Sequence, residues 1–333
     1  MTLKSFALAL AGVSLSAVAA LAQGAVRPAI VYDLGGKFDK SFNEGVYQGA
    51  ERFKKEAGVD YRDFEPQNDA QKEQALRRFA RDGFSPIVAV GFSQQSAVEK
   101  VAKEFPQAKF TLIDSVVDLP NVQSITFKEH EGSYLVGLLA AMAAKSGKVG
   151  FVGGMDVPLI RRFACGYVQG AKAAKKDAEV FQNMTGTTGA AWNDPVKGGE
   201  LAKSQIERGA DVIYQAAGGT GIGVLRATAD AGKLGIGVDS NQNGLHPGKV
   251  LTSMLKRVDV AAYKSFTDAK NGAWKAGATV LGLKEDGIAW ADDENNKSLI
   301  TAEMRSAVTK AADDIKAGTV QVHDYMSDQK CPG

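Results

Sequence analysis

Three aspartates stand at the ends of separate apolar segments of the sequence. Each segment is typical of a buried strand, and the aspartates are Asp33, Asp114 and Asp239. Another such segment runs into the glycines Gly218 and Gly219. Ligands of open parallel sheets bind beyond the carboxyl ends of the strands, so we expect these residues to face one crevice. Any one of them alone would be an ordinary helix cap or turn, but their joint placement favours a binding site.

Two aromatic residues stand where helical periodicity requires no core side chain. Phe42 lies at the mouth of the first predicted helix, and Trp192 lies in a loop just before a later one. Rings from opposite halves of a protein can stack on both faces of a planar ligand. A strand-end carboxylate suits a vicinal diol, because it accepts two hydrogen bonds, and Lys256 can supply a donor. The alternative, that Trp192 only packs the surface, stays open.

The sequence carries no motif of catalysis. The three histidines, His130, His246 and His323, are far apart and form no metal-ligand or catalytic pattern. The glycine-rich run 218–223 lacks the spacing of a dinucleotide loop, because Val224 stands where the third glycine should be. A nucleophile elbow and a Walker loop are also missing. We therefore predict a binding protein rather than an enzyme, with no cofactor and no metal.

The N-terminal segment is typical of a cleaved export signal. Lys4 precedes an apolar run from Phe6 to Val18, and Ala20-Leu21-Ala22 fits a cleavage site. The run is shorter than the ~20 apolar residues of a membrane-spanning helix. No Cys stands at the cleavage point for a lipid. We predict a signal peptide over 1–22 and a mature protein free in the periplasm, without a membrane anchor.

Charge and cysteine content fit an exported protein. The formal net charge is +2, with both signs interspersed, which argues against a nucleic-acid partner. The two cysteines, Cys165 and Cys331, can bridge in an oxidising compartment and so fasten the C-terminal tail. A buried Cys165 and a free terminal thiol are the alternative. We predict the disulfide.

Strand-like and helix-like segments alternate from residue 25 onward. Two successive series of about a hundred residues each predict an α/β protein with two doubly wound, Rossmann-like lobes. We assign 25–127 with about 250–284 to the first lobe, and 128–249 with about 285–333 to the second. This assignment implies a multi-stranded hinge and a ligand cleft between the lobes.

Four motifs carry a resemblance to a known family. They are Asp39-Lys40-Ser41-Phe42-Asn43, the segment 153–163 (GGMDVPLIRRF), Trp192-Asn193-Asp194-Pro195, and Gly237-Val238-Asp239-Ser240-Asn241-Gln242. On these motifs the chain resembles the basic membrane protein family of ABC-transporter substrate-binding proteins, which includes purine nucleoside receptors. The resemblance covers essentially the whole mature chain and implies a type I periplasmic-binding-protein fold with three crossings between the lobes.

The resemblance also implies three groups of ligand contacts. They are the stacking rings Phe42 and Trp192; the base-edge carboxylate Asp114, assisted by Asp33 or Asn43; and the ribose contacts Asp239, Gly218, Gly219 and Lys256. Many members carry Phe where this chain has Trp192. The larger indole could encroach on the ribose, so a free base such as adenine stays a candidate ligand beside a nucleoside.

We therefore predict a monomeric periplasmic receptor of an ABC importer. It would bind a purine nucleoside or purine base, close around it, and deliver it to the permease and its ATPase. Three alternatives stay open: a sensory binding protein for a membrane receptor, a family receptor for a non-purine solute, and an exported nucleoside hydrolase.

Overall fold

The computed structural model describes residues 26–332. The predicted signal peptide over 1–22 lies outside the described residues. Within 26–332 the chain forms two six-stranded sheets with helices packed against them. This is the two-lobed α/β class predicted from the sequence. Among helices of the described part, none is long and apolar enough to cross a membrane.

The first sheet is parallel throughout, in the strand order β11-β5-β4-β3-β1-β2. Its strands are β1 (Ala29–Val31), β2 (Arg62–Phe64), β3 (Ile87–Ala89), β4 (Phe110–Ile113), β5 (Val122–Phe127) and β11 (Gly277–Leu281). Its helices are α1 (Phe42–Ala57), α2 (Asp69–Arg81), α3 (Gln95–Glu104) and α8 (Val258–Lys270). The central strands read as continuous apolar runs because helices cover both faces of the sheet. We call this unit the first lobe.

The second sheet has the order β12-β10-β9-β8-β6-β7, and only β12 is antiparallel to its neighbour. Its strands are β6 (Lys148–Met155), β7 (Glu179–Gly186), β8 (Val212–Ala216), β9 (Leu234–Asp239), β10 (Val250–Lys256) and β12 (Ile288–Trp290). Its helices are α4 (Glu129–Ala143), α5 (Pro158–Ala174), α6 (Pro195–Glu207), α7 (Thr220–Asp230), α9 (Ala302–Ala317) and α10 (Tyr325–Asp328). We call this unit the second lobe.

The chain passes between the lobes three times. Lys128 alone joins β5 to α4, Arg257 alone joins β10 to α8, and residues 282–287 join β11 to β12. The crossings are bonded to one another, because the Lys128 amide donates to the Leu281 carbonyl at 2.9 Å and the Arg257 amide donates to the Gly287 carbonyl at 2.9 Å.

The segment from about 250 was assigned to the first lobe, but the structure places its first part in the second. The apolar run of β10 pairs in parallel with β9 before the chain crosses. The first lobe therefore regains the chain at α8, which packs on α1 through the edge-to-face rings of Phe53 and Phe266 at 5.4 Å.

Helices α4 and α5 approach each other very closely. A Cβ on Gly170 of α5 would lie 1.9 Å from the carbonyl oxygen of Tyr134, so only glycine fits there. One turn nearer the start of α5, Cys165 forms a disulfide with Cys331, with the Cα atoms 5.5 Å apart. The close crossing sets side chains of α5 against the start of α4, and the disulfide ties the C-terminal tail to α5.

Candidate ligand-binding site between the lobes

The carboxyl ends of both sheets border one cleft between the lobes, about 550 Å³ in volume including its opening to solvent. Most of the sequence-predicted site residues line it: Asp33, Phe42, Asn43, Asp114, Trp192, Gly218, Asp239 and Lys256. Gly219 does not line the cleft. It stands directly before α7, where an added Cβ would lie 3.2 Å from the carbonyl oxygen of Trp192. The structure adds lining residues that the sequence did not suggest, chiefly Asp39, Leu159, Ile160 and Phe163.

Asp114 and Asp239 share a backbone conformation that is unusual for residues other than glycine. Asp114 follows β4 with φ of 70°, and Asp239 ends β9 with φ of 62°. Asp and Asn visit this left-handed region more readily than other non-glycine residues. Strained conformations of this kind concentrate at binding and active sites. The two lobes thus present a carboxylate in the same way.

Lys256 joins the lobes through a buried ion pair. Its Nζ lies 2.7 Å from Oδ2 of Asp114 in the first lobe and 2.9 Å from Oε1 of Glu129 in the second. Burial lowers the pKa of Lys256, but these carboxylates outweigh it and raise the pKa above its ordinary value. Its ammonium also lies 5.1 Å from the ring centre of Phe42 and 5.5 Å from that of Phe163. The cation is therefore held from several sides.

One oxygen of the Asp114 carboxylate is buried without a hydrogen-bond partner in the described part of the chain. Its Oδ2 accepts from Lys256, whereas Oδ1 has no hydrogen-bond partner among residues 26–332. Burial raises the pKa of Asp114 to about 7, against the opposing effect of Lys256. A buried acceptor without a donor costs free energy, which a ligand N–H would recover.

Oδ1 of Asp33 and the side-chain amide of Asn43 are held by hydrogen bonds within the protein. Oδ1 of Asp33 accepts from Lys72, from the Ser93 hydroxyl at 2.9 Å and from the Leu34 amide at 2.8 Å. The amide oxygen of Asn43 accepts from the backbone N–H of Asp33 at 3.0 Å. Both residues line the cleft, but these bonds make them supports of the loop before α1.

Asp39 organises the start of α1. Its carboxylate accepts backbone N–H groups of Ser41, Asn43 and Glu44 at 2.8, 3.0 and 3.1 Å. These are free donors of a helix N-terminus, which a carboxylate satisfies well. Phe42 is the first residue of α1, so this cap fixes the ring that faces the cleft. Burial raises the pKa of Asp39 to about 7, although the three donors act in the opposite direction.

Trp192 stands at the end of a short 3₁₀ turn in the second lobe, across the cleft from Phe42 of the first. Its indole lies against Gly154 of β6, where an added Cβ would come within 2.1 Å of Cζ3. Gly154 therefore leaves the space that the indole fills. The two rings predicted to stack thus come from opposite lobes.

A row of hydrogen bonds crosses the cleft beside Asp239. Oδ2 of Asp239 accepts from the Ser41 hydroxyl at 2.6 Å, and the Ser240 hydroxyl donates to the Ser41 carbonyl at 2.7 Å. The side-chain amide of Gln242 donates to the Lys40 carbonyl at 2.9 Å. Because these bonds join the two lobes, the structure describes the closed arrangement.

Comparisons with known proteins agree on one family. The profile described as "ABC transporter substrate-binding protein PnrA-like", Bmp, matches residues 28–324. An ABC transporter nucleoside-binding protein of Lactococcus lactis, BmpA, is 34% identical over 320 residues, covering 89% of this chain and 89% of the relative. An ABC transporter solute-binding protein of Aeropyrum pernix has a TM-score of 0.82 at 31% identity, covering 89% of this chain and 92% of that one.

Other relatives correct the predicted location. A protein of Pyrococcus abyssi, 36% identical over 313 residues and covering 89% of this chain and 76% of its own, is named a lipoprotein. Relatives in Pyrococcus horikoshii and Pyrococcus furiosus are also named lipoproteins. The prediction of a protein free in the periplasm is therefore wrong, since an export signal does not decide whether a lipid holds the chain at a membrane. Both cysteines of the sequence, Cys165 and Cys331, form the disulfide.

Proposed function

This chain belongs to the Bmp family of PnrA-like ABC transporter substrate-binding proteins, and we propose that it binds a purine nucleoside or free purine base in the cleft. The observation that carries the proposal is the buried free oxygen of Asp114 beside the ring of Phe42, with Trp192 on the opposite lobe. A planar base between the rings would place a ring N–H or amino group within reach of this oxygen.

The ribose would lie on the side of Asp239. Oδ2 of Asp239 accepts from the Ser41 hydroxyl, which leaves Oδ1 as the oxygen available to a ribose hydroxyl. The backbone of Gly218 has φ of 56° and lines the cleft, so no side chain of this residue would stand between it and a sugar. Lys256 is the nearby donor for a sugar oxygen. This arrangement supports a ribose contact more than it supports a base alone.

Transport would follow from closure rather than from chemistry. A ligand that contacts both lobes stabilises the closed form by its differential affinity for that form. The permease would then recognise the closed pair of lobes and receive the ligand. The two single-residue crossings restrict the lobes to such a rotation.

The decisive experiment is a titration of ligand-free protein. The protein, unfolded without reductant and refolded to remove carried-over ligand, is titrated with adenosine, guanosine, inosine, adenine and ribose by calorimetry. We expect a nucleoside to bind at micromolar or tighter concentration and to quench tryptophan emission. Small-angle scattering should show compaction on saturation. If only adenine binds, the proposed ribose contacts are wrong. If none of the five compounds binds, the purine assignment is refuted.

Gly154→Ala is expected to weaken binding of the base by about tenfold, because one aromatic stack is worth ~1–3 kcal/mol. The added Cβ would lie 2.1 Å from Cζ3 and 2.4 Å from Cε3 of Trp192, so the indole must leave its place. Calorimetry gives the affinity, and tryptophan emission reports the displaced ring. Gly186→Ala is the matched control in the same lobe, because its Cβ meets only an ordinary contact at 3.5 Å with Ala191. Equal affinities in the two variants would remove Trp192 from the site.

A further inference from the structure

We propose that Arg162 is a positioning residue for ligand binding and that the disulfide-bound C-terminal tail holds it in place. The inference rests on the proposed function, since the ligand affinity is the property that Arg162 would set. Arg162 does not line the cleft. It acts through Glu129, which pairs with the cleft lysine, Lys256.

The first step is the charge balance behind Lys256. Asp114 and Glu129 are both buried, and one lysine faces both carboxylates. One ammonium cannot compensate two buried carboxylates, and Asp239 adds a further negative charge nearby. Nη1 of Arg162 supplies the second cation, donating to Oε2 of Glu129 at 2.9 Å. Glu129 therefore lies between two cations, and Lys256 stays free to serve Asp114.

The second step is the place of the guanidinium at the first crossing. Nη1 of Arg162 also donates to the Phe127 carbonyl at 2.8 Å. Phe127 is the last residue of β5 and Glu129 the first of α4, so the guanidinium bridges the two sides of Lys128. The same group thus fixes the backbone of the hinge and the carboxylate beside the ligand lysine.

The third step is what holds Arg162. Its Nε and Nη2 donate side by side to the two oxygens of Asp324 at 2.8 and 2.7 Å. A paired contact of this kind fixes the plane of the guanidinium, because both groups are rigid and flat. Asp324 belongs to the tail and caps α10 through the Met326 amide at 2.9 Å.

The fourth step is what holds the tail. Three residues at helical spacing along one face of α5 contact the tail: Arg162, Cys165 and Gln169. Cys165 forms the disulfide with Cys331, and the side chain of Gln169 exchanges two hydrogen bonds with the backbone of His323 at 3.0 and 2.8 Å. Asp324 follows His323 directly, so these bonds set its position.

A tail that only stabilised the fold would change the unfolding temperature without changing the titration of Asp114. The groups that face Asp114 are Lys256, Glu129 and Asp239. Without the Arg162 charge, Glu129 draws Lys256 toward itself, and Asp114 loses part of its compensation. The pKa of Asp114 should then rise, and ligand binding should fail at a higher pH than in the unchanged protein.

The test compares Arg162→Gln, Arg162→Lys, Asp324→Asn and a control, Asp328→Asn. Asp328 lies in the same tail but bonds His323 and the Lys330 amide, not Arg162. With adenosine and inosine as probes, we expect Kd to rise about 30-fold for Arg162→Gln and about tenfold for Asp324→Asn, as for loss of a buried charged contact. Arg162→Lys should recover part of the loss, and the control should stay within about twofold.

Removing the disulfide by Cys165→Ala with Cys331→Ser should raise Kd about threefold, since Asp324 keeps its bonds but loses its tether. The pKa of Asp114, followed by carboxyl ¹³C NMR without ligand, should rise in Arg162→Gln and stay unchanged in the control.

If the unchanged protein binds no nucleoside, the proposed function fails, and this NMR titration alone decides the inference. An unchanged Asp114 titration in Arg162→Gln would overturn the role of Arg162. Equal Kd values for Asp324→Asn and Asp328→Asn would overturn the role of the tail, and this pair carries the test if Arg162→Gln does not fold.

Discussion

Replacing Lys256 with Met is expected to abolish ligand binding and to lower the free energy of unfolding by about 3–5 kcal/mol near neutral pH. The substitution leaves Asp114, whose Oδ2 lies 2.7 Å from Nζ, without a cation, and leaves Glu129 with Arg162 alone. Met fills the space of the lysine stem, so the loss reports charge rather than volume. Denaturant unfolding at several pH values measures it.

The pH dependence of this loss has a definite sign. In Lys256→Met the pKa of Asp114 in the folded state should rise further above its value in the unfolded chain. A carboxyl group with a raised folded pKa favours the fold at low pH, and that contribution disappears as the pH rises through the folded pKa. The deficit of the variant should therefore be small below about pH 4, the ordinary range of carboxyl groups, and grow toward neutral pH. Adding Asp114→Asn should restore stability but not binding. A deficit independent of pH would mean that packing against the rings of Phe42 and Phe163 dominates.

Asp239→Asn is expected to lower the affinity for a purine nucleoside by about 30-fold or more, because charged hydrogen bonds contribute ~1.5–3 kcal/mol each. The affinity for the free base should change by less than about threefold. Asn is the suitable replacement because the position has φ of 62°, which Asn tolerates and Ala does not. Calorimetric titration with adenosine and with adenine gives the ratio of affinities.

Ser41→Ala is the matched control for this ratio. Ser41 donates across the cleft to Oδ2 of Asp239, so its loss weakens closure while the carboxylate remains. The affinities for adenosine and for adenine should then fall by the same factor. If Asp239→Asn likewise weakens nucleoside and base equally, the ribose contact is wrong and Asp239 acts only in closure.

The strand-end carboxylates could be located from sequence because the rule behind them is topological. Continuous apolar runs mark buried parallel strands, and the residue after each run falls at the ligand edge of the sheet. Asp33, Asp114 and Asp239 all reach the cleft in this way. What the rule cannot give is how a carboxylate is used, since it depends on partners elsewhere in the chain. Oδ1 of Asp33 pairs with Lys72, whereas Asp114 pairs with Lys256 through Oδ2 and has a buried Oδ1 without a partner within residues 26–332.

Glu129 was missed for a different physical reason. It opens α4, a helix whose residues are buried almost all round, including Glu129 and Glu131. Such a helix has no polar face, so it lacks the 3.6-residue periodicity by which surface helices are recognised. The boundary near 250 was misplaced because an apolar run indicates a strand but not the sheet in which it pairs. Phe163 was missed because it falls on the apolar side of α5, where a core role explains it equally well.

The single-residue crossings at Lys128 and Arg257 have a mechanical consequence. Connections this short can twist but cannot slide, so we expect the lobes to rotate about an axis through these two residues. Lys256 and Glu129 lie next to this axis and belong to the second lobe, whereas Asp114 belongs to the first lobe. When the lobes part, the ammonium keeps Glu129 as a counter-ion, whereas Asp114 loses its cation and Asp239 loses the Ser41 hydroxyl, so both carboxylates must take up water. The rate at which the ligand escapes should therefore depend on how quickly these two carboxylates are rehydrated.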